Sequence, residues 1–127
     1  MNPSRILVVE DNPKNLKLVK DVLTYSGYEV IEATSGEDGV RLAGEQSPDL
    51  ILMDLQLPGI DGAEALRQIR ANGPNPNVTV VAVTAFAMND DRNRALASGF
   101  DGYVEKPISV RGLSEQIRDL LTLGGLT

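Results

Sequence analysis

Four segments of the chain each hand over to a residue able to do chemistry. Ile6–Val9 runs into Glu10 and Asp11, Leu50–Met53 into Asp54, Val78–Val83 into Thr84 and Ala85, and Gly102–Glu105 into Lys106 and Pro107. Laid side by side with their ends level, these segments would gather three carboxylates, a hydroxyl and an ammonium in one cleft. Two carboxylates about 5 Å apart repel by roughly 3 kcal/mol at an effective dielectric near 20. Three crowded together therefore require a raised pKa or a cation. Carboxylate oxygens at a solvent-open edge suit Mg²⁺, which prefers octahedral oxygen ligands and retains several waters. A cation, a lysine and a hydroxyl are a fitting surround for phosphoryl oxygens. An aspartate in their midst can act as nucleophile and form an aspartyl-phosphate. Asp54 would end the central strand of such an arrangement and sit in the middle of the cluster, so it is the best placed for that role.

The elements that must hold these residues are legible from the same sequence. Asn12-Pro13 is a helix start, with a capping side chain and proline at the first helical position. Leu16, Val19 and Leu23 follow at helical spacing, and Gly27 closes the segment. Tyr28–Ala33 mixes polar and apolar residues and reads as an exposed edge strand. Ser35 caps a helix carrying Val40 and Ala43 that ends before Pro48. Asp61 with Glu64 forms a capping-box pattern ahead of Leu66 and Ile69. Residues 72–77, "NGPNPN", are a turn-rich connection. Asn89–Asp91 open a helix rich in alanine that runs to Gly99, and Ser109 caps a last helix with Leu113, Ile117, Leu120 and Leu121 inward. Five strand–helix units predict an α/β fold: a doubly wound, five-stranded parallel sheet with five helices on its two faces. The most apolar strands belong in the centre, which is compatible with the order 2-1-3-4-5 and places ligands at the carboxyl ends of the strands.

Composition removes several classes of function. The 127 residues fit one domain, and no cysteine or histidine is present. That excludes disulfides, Cys-zinc sites, thiol nucleophiles, a Ser-His-Asp triad and a phosphohistidine. Eighteen acidic against twelve basic residues give a net charge of −6, unlike a surface that binds nucleic acid. No apolar run approaches the roughly 20 residues of a membrane helix, and the start does not read as a signal peptide. A cytoplasmic setting is expected. Neither a G-x-x-x-x-G-K-[ST] loop nor a G-x-G-x-x-G fingerprint occurs.

Taken together, "VVEDN", "LILMDLQLPGIDG", "VVAVTAFA" and "YVEKPIS" resemble the receiver domain of two-component response regulators, a CheY-like family. The likeness extends over about residues 5–121 of a single domain spanning 1–127, and single-domain receivers of the DivK type are the most similar. The resemblance implies that Glu10 and Asp11 hold Mg²⁺ together with Asp54 and the backbone carbonyl of Gln56. It implies Asp54 as phosphoacceptor, with Thr84 and Lys106 binding phosphoryl oxygens. Tyr103 matches the aromatic switch position, turning inward as Thr84 is drawn to the phosphate. Gln56, Ala85 and Phe86 stand where the family tunes loss of the phosphoryl group, and bulky Phe86 leads to the expectation of a long-lived phospho-state. Lys106-Pro107 is expected to be a cis peptide. The acidic pair is Glu-Asp where many relatives have Asp-Asp.

The implied function is a phosphorylation-dependent switch. A sensor histidine kinase or histidine phosphotransfer protein would be the donor. The surface of the fourth helix, fifth strand and fifth helix would address a downstream protein, or the phosphoryl group would be passed on. The protein would not be an enzyme beyond assisting its own phosphorylation and dephosphorylation. A monomer or weak dimer, with no nucleic-acid or membrane partner, is expected. One alternative is a phosphatase working through an aspartyl-phosphate, but such enzymes usually carry a second acid two residues after the nucleophile, where this chain has Gln56. A flavodoxin-type carrier lacks its phosphate loop here. Met1 and the short Gly-Gly-Leu-Thr tail lead to the expectation of a complete chain, with a receiver excised from a hybrid kinase as the other possibility.

Overall fold

The apolar runs form parallel strands because neither face is left to water, so no polar alternation is needed. The computed structural model describes residues 4–73, 76–84, 97–106 and 108–125. Its strands are β1 (Arg5–Val9), β2 (Glu29–Ala33), β3 (Leu50–Asp54), β4 (Thr79–Thr84) and β5 (Gly102–Glu105). All pair in parallel, in the order β2-β1-β3-β4-β5. The helices are α1 (Pro13–Tyr25), α2 (Gly36–Gln46), α3 (Gly62–Asn72) and, at the C-terminal end, α4 (Val110–Gly125). Four helices thus stand among the described residues against five expected. The segment predicted as a helix from Asn89 falls in residues 85–96, outside the described residues, and only its end at Ala97 is seen to be helical.

Alternation along the strands divides the core in two. Leu50 and Leu52 join Ile6, Val8, Val81, Val83 and Val104 on one face, where α1 and α4 contribute Val19, Val22, Leu23, Leu113 and Ile117. Ile51 and Met53 join Leu7, Val9, Val80 and Ala82 on the other, against Ala43 of α2 and Ala65, Leu66 and Ile69 of α3. Every residue of β3 is buried, whereas β2 is exposed at Glu29 and Glu32, half-buried at Val30 and Ile31, and buried only at Ala33. Glu29 and Glu32 on that edge discourage pairing with another chain.

The helix starts follow the predicted chemistry. Asn12 Oδ1 accepts the N–H groups of Lys14 at 2.9 Å and Asn15 at 3.2 Å. Ser35 Oγ accepts from Asp38 N–H at 3.1 Å, Asp61 Oδ1 from Glu64 N–H at 2.9 Å, and Ser109 Oγ from Gly112 N–H at 3.2 Å. At α3 the Glu64 carboxylate takes the Arg67 guanidinium at 2.6 Å through both oxygens. The charged i,i+3 partner thus draws it away from the cap. Among the described residues no helix is long and apolar enough to cross a membrane.

Candidate functional site

Register brings the chemistry together. Val9 pairs with Met53, Asp54 with Val83, Val83 with Val104 and Thr84 with Glu105. The next residue of β1's chain, Glu10, therefore comes level with Asp54. Side chains alternate along a strand. Glu10, Asp54 and Lys106 each stand two residues beyond Val8, Leu52 and Val104, all of which face α1 and α4. Thr84 stands two residues beyond Ala82 and lies with Tyr103 toward the opposite face.

The cluster is tight and buried. Lys106 Nζ lies 2.9 Å from Glu10 Oε1 and 2.8 Å from Asp54 Oδ2. Asp54 Oδ1 accepts the Gln56 N–H at 2.9 Å, and Glu10 Oε2 the Asn12 N–H at 3.3 Å. Lys106 N–H donates to the Thr84 carbonyl at 2.8 Å, which fixes the base of the lysine to the end of β4. Glu10, Asp54 and Thr84 are 3%, 2% and 3% exposed, while Asp11 stands in solvent. Beneath them Val8, Leu52, Val83, Val104 and Leu113 form an apolar floor enclosing only about 10 Å³, at the lower limit for one water.

Burial first, and the neighbouring Asp54 carboxylate second, push the Glu10 carboxyl up to about 7 against the opposing pull of Lys106. Burial works to lower the Lys106 ammonium. Its contacts with Asp54 and Glu10 outweigh that, and its pKa is raised. Glu10, Asp11 and Asp54 each offer an oxygen, and these atoms lie within 4.8 Å of one another. Fully ionised, three carboxylates against one ammonium leave a charge deficit equal to one divalent cation. The donors are all hard oxygens, so the residues present fit Mg²⁺ and not a soft metal.

The chain agrees over residues 6–118 with the model of the response regulator receiver domain. The chain belongs to this family. The receiver is 42% identical over 119 residues to the polar-differentiation response regulator DivK of Brucella anthropi, covering 94% of this chain and 97% of that one. It is 43% identical to the DivK of Brucella ovis over 116 residues, 91% and 94% of the two chains. Among solved structures it resembles the receiver domain of a sensor histidine kinase from Pseudomonas aeruginosa, a structure with a magnesium ion coordinated in the active-site cleft, at a TM-score of 0.87 and 37% identity, covering 94% and 98% of the chains. It also resembles a CheY-like receiver domain from Methanospirillum hungatei, at a TM-score of 0.84, 30% identity and 94% coverage of both. The receiver is thus DivK-like in sequence and CheY-like in fold, and phosphorylation-dependent switching is the general function of its family.

The predicted residues are not all gathered at one point. Glu10, Asp11, Asp54 and Lys106 converge. Thr84 ends β4 beside them, and the Gln56 backbone closes on Asp54. Tyr103 lies two pairs down from the end of β5, packed against the α2–α3 side of the core, with its carbonyl accepting Gln116 Nε2 at 3.0 Å. Ala85, Phe86 and the Lys106-Pro107 peptide lie outside the described residues. One contact escaped the sequence reading: Glu37 of α2 accepts the Ile60 N–H at 2.8 Å. Its position in the first turn of a helix is ordinary for an acid, so the sequence carried no separate signal.

Proposed function

We propose that Asp54 is the phosphoacceptor of a signalling switch fed by a histidine kinase or a histidine phosphotransfer protein. An oxygen of the Asp54 carboxylate forms a bond to phosphorus as the bond from phosphorus to the donor's imidazole nitrogen breaks. The electron pair leaves with that nitrogen. The observation that carries this reading is the state of Asp54 itself. It is buried at the end of the central strand, one oxygen oriented by the Gln56 N–H and the other by Lys106. That fixed geometry is what a displacement in line with the leaving group requires.

Lys106 remains beside the acceptor and offers its charge to the transferred group's oxygens, and the Thr84 hydroxyl is the candidate donor to another. Held by Glu10, Asp11, Asp54 and the Gln56 carbonyl, Mg²⁺ would supply charge that offsets the crowded oxygens. The phosphoryl group then biases a two-state equilibrium toward a surface that a downstream protein recognises. In that equilibrium Tyr103 and Thr84 are the candidate switch pair, with β5 and the helices flanking it as the output face. Gln56, Ala85 and Phe86 are candidates for tuning how long the group persists. We further read the chain as a single cytoplasmic domain, monomeric or weakly dimeric.

The test is incubation with phosphoramidate or acetyl phosphate and Mg²⁺ followed by intact mass. One added phosphoryl group, abolished by Asp54→Asn, is the expected result. An intact fold that gains no adduct from any donor would overturn the reading.

A further inference from the structure

The loop between β3 and α3 is held at both ends of its excursion. At its root Gly62 N–H donates to the Leu55 carbonyl at 3.3 Å, and a Cβ on Gly62 would stand 2.5 Å from the Asp54 carbonyl oxygen. Its tip is held from outside. Ile60 N–H donates to Glu37 Oε1 at 2.8 Å. The Glu37 carboxylate also covers Gly59, where a Cβ would meet its two oxygens at 2.7 and 2.8 Å and where φ is +74°. Gly36 completes the seat, since a Cβ there would fall 2.6 Å from Ile60 Cγ1 and 2.7 Å from the Ile60 carbonyl. Between root and tip lies Gln56, whose N–H orients Asp54 Oδ1 at 2.9 Å.

We propose that Glu37 is a positioning residue: it latches the β3–α3 loop onto α2 and thereby holds the Gln56 backbone that orients Asp54. The inference rests on Asp54 being the phosphoacceptor. A hydrogen bond to an ionised acceptor is roughly twice as strong as a neutral one. Gly59 otherwise leaves the loop tip free to rotate. With the latch closed, Gln56 is caught between a fixed root and a fixed tip, and the carboxylate it orients keeps one rotamer. With the latch open, Asp54 samples orientations that do not face the incoming phosphorus, and alignment is a large part of what such a site contributes.

The competing account is that Glu37 only favours the start of α2, as an acid in a first turn does through the helix dipole. Two substitutions separate these roles. Glu37→Gln loses the charge and keeps an oxygen able to accept from Ile60, whereas Glu37→Ala loses both. Three readouts are taken: amide hydrogen exchange at Ile60 in chelator, thermal melting, and phosphorylation by phosphoramidate across a Mg²⁺ titration. Glu37→Ala should speed Ile60 exchange about tenfold, the scale of one lost hydrogen bond to a charged group. It should also slow phosphorylation severalfold and raise the Mg²⁺ concentration at half-maximal rate. Glu37→Gln, a neutral acceptor, should restore about half of both while melting like the alanine variant. Unchanged Ile60 exchange in Glu37→Ala, or faster exchange with phosphorylation at the wild-type rate, overturns the latch. Failure of the wild type to accept a phosphoryl group strikes the phosphoacceptor reading instead, and Ile60 exchange still judges the latch.

Discussion

Replacing Lys106 with methionine leaves two buried carboxylates without the cation they share. Methionine keeps much of the stem's volume, so charge is the main loss. Lys106 Nζ sits 2.9 Å from Glu10 and 2.8 Å from Asp54, and removing one partner from a buried pair costs about 3–5 kcal/mol. The carboxylates themselves, with oxygens within 4.8 Å, would repel by roughly 3–4 kcal/mol at an effective dielectric near 20. They can escape by taking up a proton. Glu10 already titrates at about 7 with Lys106 in place, and losing the ammonium raises it further. A carboxyl whose folded pKa exceeds its unfolded one holds its proton more tightly when folded. Stability therefore falls as pH rises from the unfolded value to the folded one. The wild type should lose stability up to about pH 7 and then level off. The variant should go on losing it at up to about 1.4 kcal/mol per pH unit until its own, higher pKa. The raised Lys106 pKa contributes no slope in this range, because its stabilisation is complete below 10.5. Urea unfolding of both proteins in chelator, from pH 6 to 9, should show a gap that is small at pH 6 and opens to about 3 kcal/mol by pH 9. A gap independent of pH would make Lys106 a packing residue and not the counter-charge of the two carboxylates.

Chelation of Mg²⁺ should abolish adduct formation at Asp54, and equal yields with and without EDTA would remove the metal from the reaction. Ser47 ends α2 with φ +47°, a left-handed conformation that disfavours a side chain. Ser47→Gly should therefore raise stability by roughly 0.5–1 kcal/mol in chemical denaturation. Gly62→Ala places a Cβ 2.9 Å from Leu55 Cα as well as against the Asp54 carbonyl. It should cost about 1–3 kcal/mol, measured by melting, and slow phosphorylation because the strain falls on the backbone of Asp54.

What was legible in the sequence were the features that depend on local pattern. Leu50–Met53 carries no polar residue, the pattern of a strand buried on both faces, and β3 is buried throughout. Asn12-Pro13 and Ser35 cap because their side chains reach backbone two or three residues away. Glu10, Asp54 and Lys106 were readable as one cluster because each ends a strand, and parallel pairing aligns such ends. Contacts made by a side chain with distant backbone left no pattern to read. Arg70 donates to the carbonyls of Pro76 at 2.8 Å and Gly99 at 3.1 Å and to Asp101 at 3.1 Å, tying the far ends of β4 and β5 to α3. Nothing about an arginine in the last turn of a helix foretells those partners. Glu37 is the same case, and Glu64 shows the converse: a local pattern was present, and a better-charged neighbour took the side chain.

The alternation of the strands also constrains how a phosphoryl group at Asp54 could be felt elsewhere. Glu10, Asp54 and Lys106 point toward the face covered by α1 and α4, whereas Thr84 and Tyr103 point toward the face that α2 and α3 cover. The lysine that meets Asp54 is joined through its own N–H to the Thr84 carbonyl. A pull on Lys106 therefore reaches the backbone of β4 at the residue whose side chain faces the other way. Each apolar face is close-packed and resists gradual deformation. The strand ends, which carry hydrogen bonds in place of packed side chains, are where the two faces can be coupled. The outer strand β5 is joined to this point through Lys106, and its Tyr103 carbonyl accepts from Gln116 of α4. That arrangement gives a change at Asp54 a short covalent and hydrogen-bonded route to the β5 edge, while on the β2 side the cluster is joined through the Glu10 N–H, which donates to the Ala33 carbonyl at 3.0 Å.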